Sequence, residues 1–261
     1  MSNHIMRIGN VELVSLTDGH GAGPPTEIFP DSSLDIWSKE FGEFLDQDGQ
    51  IHPRFGCLAV RTSGTTILVD TGNGGSEGRL MDDMRKKGVS VDDVSLVVIT
   101  HLHPDHIGWN MTNGKPTFPK ARYLVPEQDW RHFADALHVQ EQVVPLHTLD
   151  VMELISGEYK LTDELITVPT PGHTPGHISL AINSSGKKGF ILGDVAHSPA
   201  QAQYTDWSPS FDTDKDLSRQ TRHGIVNMLE EDGLPVSAGH FPGNGFGKLV
   251  RTDGRRIWQG I

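Results

Sequence analysis

The stretch that decides the fold is THLHPDH at residues 100–106, which follows the apolar run VSLVVI at residues 94–99. Such a short, continuous apolar run predicts a buried strand. A polar loop at the end of a buried strand is where α/β proteins place their chemistry. The stretch therefore marks a candidate active site at a strand end.

The four potential metal ligands in this stretch can serve two metal ions. In an extended chain alternate side chains share a face, so His101, His103 and Asp105 can converge on one side. A turn begun by Pro104 would carry Asp105 and His106 towards a second point about 3.5–4 Å away. Imidazoles packed this closely without a metal would repel one another when protonated and waste donors when buried. The pattern therefore predicts a dinuclear metal site.

Length and composition narrow the class of protein. The 261 residues predict one domain over residues 1–261. Cys57 is the single cysteine, which excludes disulfides and cysteine-based zinc sites. The net charge of −12 argues against nucleic acid, whose binding needs Lys and Arg. Residues 1–7 lack the apolar core of a signal peptide and no run has the roughly 18 apolar residues of a membrane span. We expect a cytoplasmic protein with no membrane partner.

Hydrophobic periodicity predicts strands and helices in both halves of the chain. The predicted elements are a strand at 11–16 before a turn at 18–21, a short helix at 34–45, a hairpin of 55–61 with 65–70, helices at 80–88, 127–137 and 214–232, strands at 166–168, 177–182 and 189–192, and a final hairpin at 249–258. Two strand-rich halves flanked by helices favour two sheets packed face to face with helices outside.

Four further polar residues follow predicted strands, each near glycine or proline: Asp70, His173, Asp194 and His240. Glycine lets backbone approach a metal cluster closely. The loops that carry these residues are far apart in sequence and would have to converge in the fold.

The complete pattern, from DTG at 70–72 to GH at 239–240, resembles the dinuclear hydrolases of the metallo-β-lactamase superfamily. The resemblance implies an α/β fold, the four-layer αβ/βα sandwich. It also implies one metal position of His101, His103 and His173, a second of Asp105, His106 and His240, and Asp194 as the bridge between them. Asp70 resembles the family's supporting aspartate, which holds the ligand loop without binding metal.

Nitrogen and oxygen ligands without thiolate suit two zinc ions, and also manganese, cobalt or iron. A water held between two such ions would lose a proton near neutral pH and become the nucleophile.

Individual residues separate the branches of the superfamily. Flavodiiron proteins carry glutamate where this chain has His103, periplasmic β-lactamases lack the bridging aspartate, and glyoxalase II proteins add a helical domain after the position of His240. RNA-processing relatives need basic surfaces. The remaining branch contains lactonases, arylesterases and organophosphate hydrolases, including acyl-homoserine lactonases that act in quorum quenching. Those lactonases often carry a tyrosine at the position of His197, whose imidazole could donate the same hydrogen bond to a substrate carbonyl.

The resemblance predicts a hydrolase that opens small hydrophobic lactones or esters with a metal-bridging hydroxide, with Asp105 and His197 as catalytic residues. A phosphotriester hydrolase is the alternative, and a non-catalytic metal-stabilised binding protein is a further one. The expected partner is a small molecule, and a homodimer stays open. Selectivity is expected in loops 21–55 and 127–147. Five aromatic residues are candidates for a hydrophobic pocket or for ordinary core: Phe29, Trp37, Phe41, Trp109 and Trp207.

Overall fold

Two β-sheets, each contributed by one half of the chain, form the framework in the computed structural model, which describes residues 4–261. The strands are β1 (Ile5–Ile8), β2 (Val11–His20), β3 (Arg54–Thr62), β4 (Thr65–Val69), β5 (Val94–Val98), β6 (Met111–Thr112), β7 (Lys115–Pro116), β8 (Arg122–Pro126), β9 (Met152–Ile155), β10 (Leu165–Pro169), β11 (Ile178–Ser184), β12 (Lys187–Ile191), β13 (Val236–Ser237), β14 (Phe246–Thr252) and β15 (Arg255–Gly260). The first sheet has the order β1-β2-β3-β4-β5-β8-β9, the second runs from β10 to β15, and β6 pairs with β7 separately.

Eight helices accompany the sheets in the part of the chain that the structure describes. They are α1 (Pro25–Ile28), α2 (Leu34–Glu40), α3 (Leu80–Lys86), α4 (Pro104–Ile107), α5 (Glu127–Phe133), α6 (Leu137–Gln142), α7 (Val144–Thr148) and α8 (Lys215–Glu231). Among them, α3, α5, α7 and α8 pack against strands. Short 3-10 turns lie at Gly42–Phe44, Val91–Asp93, Gly193–Val195 and Pro199–Ala202. No helix in residues 4–261 has the length and apolar character that crossing a membrane requires.

Three hydrophobic cores separate the layers. Between the sheets, apolar residues of the first, such as Leu13 and Val60, pack with residues of the second, such as Leu180. Leu80 of α3 belongs to a core on the outer face of the first sheet, and Val226 of α8 to a core on the second. Helix, sheet, sheet and helix therefore follow one another, which confirms the predicted αβ/βα sandwich.

Parallel strand pairs explain why the candidate ligands meet. Strands β4 and β5 run parallel with Val69 opposite Val98, so Asp70 and the 100–106 stretch leave the first sheet at the same edge. Strands β12 and β13 are also parallel, with Ile191 opposite Ser237, so the loops to Asp194 and His240 leave the second sheet together. Because carboxyl ends of parallel strands share one edge, the topology itself brings distant ligands together.

The predicted hairpin of 55–61 with 65–70 is confirmed by the pairing of β3 with β4. Other boundaries differ. The predicted turn at 18–21 is wrong, because β2 continues to His20 and pairs there with Arg54 after a register shift. The predicted helix at 127–137 divides, since α5 ends at Phe133 and α6 begins at Leu137. Helix α2 stops at Glu40, where the predicted helix continued to residue 45.

Candidate metal centre

Three imidazole nitrogens from two separate loops converge at the strand ends. The Nε2 atom of His101 lies 3.1 Å from Nδ1 of His103 and 3.2 Å from Nε2 of His173. Ligands placed tetrahedrally at about 2.0–2.1 Å from one zinc ion would be about 3.3 Å apart. The spacing of the three nitrogens therefore fits one divalent ion.

A second group of ligand atoms lies beside the first. The Nε2 atoms of His106 and His240 are each 3.6 Å from Oδ2 of Asp105. Oδ2 of Asp194 lies 3.3 Å from Nε2 of His106 and 2.9 Å from Nε2 of His240. The same oxygen is 3.4 Å from Nε2 of His173 in the first group. One carboxylate therefore reaches both groups, as a bridging ligand must.

The polar atoms of this cluster lack the hydrogen bonds that burial normally requires. Among the described residues, His106 Nε2 and Asp194 Oδ1 are buried without a hydrogen-bond partner. Buried polar atoms without partners are rare and need an explanation, of which a bound ion is one. Imidazole and carboxylate donors without thiolate suit zinc and its first-row neighbours. The residues present therefore fit a pair of divalent metal ions.

Electrostatics distinguish the two groups. Burial lowers the pKa of His101 and His173 well below the usual value, and lowers that of His103 to about 4. Burial would also lower the pKa of His106, but the carboxylates of Asp194, Asp105 and Asp70 outweigh it and raise the pKa. The first group consequently offers neutral imidazoles with free lone pairs, and the second lies where negative charge favours a cation.

A polar partner orients the remaining ring nitrogen of four of these histidines. Nδ1 of His101 faces Thr100 Oγ1 at 3.0 Å, and Nδ1 of His240 donates to the backbone oxygen of Arg54 at 2.8 Å. In the same way Nδ1 of His106 contacts Asp70 Oδ2 at 2.9 Å, and Nδ1 of His173 contacts Asp212 Oδ1 at 2.8 Å. Such partners fix the tautomer that leaves the other nitrogen free for metal.

The supporting residues Asp212 and Asp129 do not appear among the sequence-based predictions. Asp212 contacts His173 and, through Oδ2, Nη2 of Arg222 at 3.3 Å. Asp129 accepts hydrogen bonds from the backbone N–H groups of Leu102 and Gly176, and so joins the two ligand loops. Neither aspartate lies in a ligand-like motif, and only the folded chain brings each one to its partners.

His197 lies at the wall between the metal cluster and a cavity. It is 5% exposed, and neither ring nitrogen has a hydrogen-bond partner among the described residues. Its Nε2 is 3.0 Å from Asp194 Oδ2, and its ring stacks on His240 at a centroid distance of 5.1 Å. His177 lies beneath the cluster, where its Nε2 accepts the backbone N–H of Asp194 at 2.8 Å.

A cavity of about 410 Å³ opens onto the cluster. Its apolar wall comes from Ile28, Phe29, Phe55 and Phe211, and its polar floor includes Asp105, Asp194, His197 and His240. The described lining includes residues from the 21–55 loop and none from 127–147, so a role for the second loop in selectivity stays a prediction. Phe211, which is 47% exposed, lies outside both predicted loops.

Only one of the five aromatic residues considered for the pocket lines this cavity. Phe29 contacts it, whereas Trp37, Phe41 and Trp207 pack against one another with centroid distances of 5.4–6.2 Å. Trp109 donates through Nε1 to Asp18 at 2.9 Å. These four residues are therefore core residues rather than pocket residues, because three of the rings pack against one another and the fourth donates a hydrogen bond to a buried carboxylate.

Comparison with known proteins agrees with this fold. The model of the metallo-beta-lactamase superfamily matches residues 57–240, and the chain belongs to this superfamily of metal-dependent hydrolases. It is 24% identical over 211 residues to the N-acyl homoserine lactonase AiiA of Bacillus thuringiensis subsp. kurstaki, which covers 70% of this chain and 80% of that relative.

Two solved structures share the fold over nearly their whole length. AidC, described as a dizinc quorum-quenching lactonase in complex with a product, has a TM-score of 0.86 and 23% identity, covering 98% of this chain and 96% of that one. The hydrolase AbOPH of the beta lactamase superfamily has a TM-score of 0.88 and 23% identity, covering 99% and 97%. At these identities the two structures establish the shared fold.

Proposed function

We propose that this protein is a dinuclear metal-dependent hydrolase that opens small, neutral, hydrophobic lactones or esters. The observation that carries the proposal is the apolar cavity of about 410 Å³ that ends on the cluster of ligand atoms. A pocket with an apolar wall and a few converging polar groups is the usual form of a small-molecule site.

Seven residues would hold two divalent ions, of which zinc suits the donors best. His101, His103 and His173 form the first position, and Asp105, His106 and His240 form the second, with Asp194 shared. When bound, such ions lower the pKa of water and polarise a carbonyl oxygen.

Asp105 and His197 are the residues proposed to act on the reacting atoms. The Asp105 side chain is 22% exposed and lines the cavity, so its carboxylate can accept a hydrogen bond from an attacking water and hold it towards the carbonyl carbon. We expect the departing alkoxide to lie near the same carboxylate. His197 lines the cavity, and neither of its ring nitrogens has a hydrogen-bond partner among the described residues, so we assign its N–H as the donor to the substrate carbonyl oxygen.

The cavity wall supports a neutral, apolar substrate. The described lining contains no Lys or Arg that would pair with a substrate anion. Phe29 and Phe211 would hold the non-reacting part of the substrate and exclude water from the reacting bond. The lactonase relative AiiA supports lactones as the first class to test.

A phosphotriester is also neutral and apolar, so the same cavity admits the alternative organophosphate hydrolase. The two functions can be ranked by kcat/KM, measured with zinc-loaded protein on a panel of substrates. The panel contains acyl-homoserine lactones, γ-lactones, aryl esters, phosphotriesters and β-lactams. We expect the highest kcat/KM on a lactone or aryl ester, with turnover abolished in a chelator and in an Asp194→Ala control.

Preference for phosphotriesters over every carbonyl substrate would overturn the ranking. Inertness towards the whole panel by protein that binds two ions would favour a metal-stabilised binding protein. A role in quorum quenching requires turnover of acyl-homoserine lactones. The cytoplasmic location stays a prediction that cell fractionation would test. The homodimer stays open, and sedimentation of the purified protein would test it.

A further inference from the structure

Arg54, the first residue of β3, is buried without an acidic partner. Its side chain is 3% exposed, and no carboxylate in residues 4–261 forms an ion pair with it. Burial lowers the pKa of Arg54 to about 10, so the guanidinium remains charged at neutral pH. A buried charge is costly unless polar atoms surround it, so the acceptors around the guanidinium must offset the cost of its burial.

Those acceptors belong largely to the loop that carries His240. Nε of Arg54 donates to the oxygen of Gly239 at 3.1 Å, and Nη2 donates to the oxygen of Ala238 at 3.4 Å. The backbone of Arg54 holds the next residue, since its oxygen accepts from His240 Nδ1 at 2.8 Å and its N–H donates to the His240 oxygen at 3.4 Å. One residue therefore holds three consecutive positions of the ligand loop, 184–186 residues away in sequence.

The other end of the guanidinium is anchored in the first sheet. Nη1 donates to Ser15 Oγ at 2.7 Å and to the oxygen of Leu16 at 3.3 Å, both on β2. Two glycines leave room for the group, because a Cβ atom at Gly56 or Gly245 would lie only 2.6 or 2.4 Å from Nη2. The side chain thus ties a rigid strand of one sheet to the ligand loop of the other.

A second buried arginine, Arg222 on α8, supports the other metal position, the one that contains His173. Its Nη2 contacts Asp212 Oδ2 at 3.3 Å, and Asp212 Oδ1 in turn contacts Nδ1 of His173 at 2.8 Å. Nε of Arg222 also donates to the oxygen of Val195 at 2.8 Å, next to Asp194. Within residues 4–261, the side chain of Arg54 forms no hydrogen bond or ion pair with His173 or Asp212, and that of Arg222 forms none with residues 238–240.

We propose that the two buried arginines are positioning residues with divided roles: Arg54 sets the geometry of the ion held by His240, and Arg222 sets that of the ion held by His173. This inference rests on the proposed dinuclear site. Loss of the Arg54 guanidinium removes the bonds that hold Ala238 and Gly239 in place, while the backbone bonds of Arg54 to His240 remain. Loss of the Arg222 guanidinium leaves Asp212 without its cationic partner beside His173. Each variant should therefore loosen the support of one ligand and weaken one ion selectively. Outer partners of metal ligands contribute about 10–100-fold to metal affinity, which sets the expected size of each effect.

The test measures each ion separately in chelator-stripped, full-length protein titrated with ¹¹³Cd²⁺. Two cadmium resonances are expected, assigned by their loss in His173→Ala and His240→Ala. Competition with a chelator then gives the affinity at each position for wild type, Arg54→Met and Arg222→Met. We expect Arg54→Met to lose about 10–100-fold at the His240 position and less than about threefold at the other, and Arg222→Met to show the reverse.

Circular dichroism and thermal unfolding of the metal-free variants establish whether each one folds. Should Arg54→Met fail to fold, Arg54→Lys keeps the charge but cannot reach both the loop and β2, and it should show a smaller loss at the same position. Equal weakening of both ions, or no weakening, in folded variants would overturn the division of roles while the dinuclear proposal stands. A single cadmium resonance in saturated wild type would overturn the dinuclear proposal itself, and this inference with it.

Discussion

Replacement of Asp70 by asparagine exchanges one oxygen for an NH₂ group directly beneath the second metal position. Asp70 is 4% exposed and has φ of +59°, a left-handed conformation that asparagine also tolerates. Its carboxylate accepts three hydrogen bonds, from Thr100 N–H at 2.7 Å, Thr100 Oγ1 at 2.8 Å and His106 Nδ1 at 2.9 Å. The substitution therefore changes hydrogen bonding with little change in shape or backbone strain.

The consequence reaches the metal through the tautomer of His106. An amide oxygen in place of Oδ1 keeps the bond from Thr100 N–H, which leaves the NH₂ group facing His106 Nδ1. Nδ1 must then accept, and the ring proton moves to Nε2, the atom that faces Asp105 and Asp194. Binding of the second ion has to reverse this tautomer, and we expect its affinity to fall about 10–100-fold, or about 1.4–2.7 kcal/mol.

The assay is zinc competition against a chelator of known affinity, resolved into two binding steps. Asp18→Asn is the matched control, because Asp18 is 2% exposed and accepts bonds from the N–H groups of Gly74, Leu80 and Trp109 but from no ligand imidazole. We expect the control to lower the unfolding temperature and to keep both zinc affinities. Wild-type affinity for both ions in Asp70→Asn, or equal losses in the two variants, would refute the reasoning.

Four further predictions concern metal content, catalysis and the pocket. Protein purified without chelator should contain close to two equivalents of divalent metal by elemental analysis, because the donors form two groups around Asp194, and full activity at a stable single equivalent would contradict this. Asp105→Asn should lower kcat about 10²–10⁴-fold with little change in unfolding temperature, since the side chain is 22% exposed and lies outside the core; unchanged kcat and metal content would contradict its role. His197→Phe should lower kcat about 10²-fold, with partial recovery in His197→Tyr, which restores a donor, and equal activity of the two variants would remove the proposed hydrogen bond. Phe211→Ala should raise KM for long-chain substrates more than for short ones, measured across a series of acyl lengths, because its half-exposed ring forms part of the apolar wall.

The sequence by itself determined the local patterns on which the site depends. The 94–106 segment contains an apolar run, a proline and four candidate ligands, and their spacing is fixed by the sequence before any tertiary contact forms. The 55–70 hairpin was equally predictable, because its alternation and the turn at Ser63 and Gly64 are local. Asp194 and His240 could be recognised from their glycine-flanked motifs and a family resemblance, although nothing local shows that their loops meet.

Only the tertiary structure decided which residues support and line the site. Arg54 and His240 are 186 residues apart, and Asp212 and His173 are 39 apart, so their contacts exist only after the parallel strand pairs bring the loops to one edge. The aromatic residues were ambiguous for the same reason. A tryptophan in a long loop gains burial either in a pocket or against other rings, and the packing of Trp37 on Trp207 results from the folded positions of both chain segments.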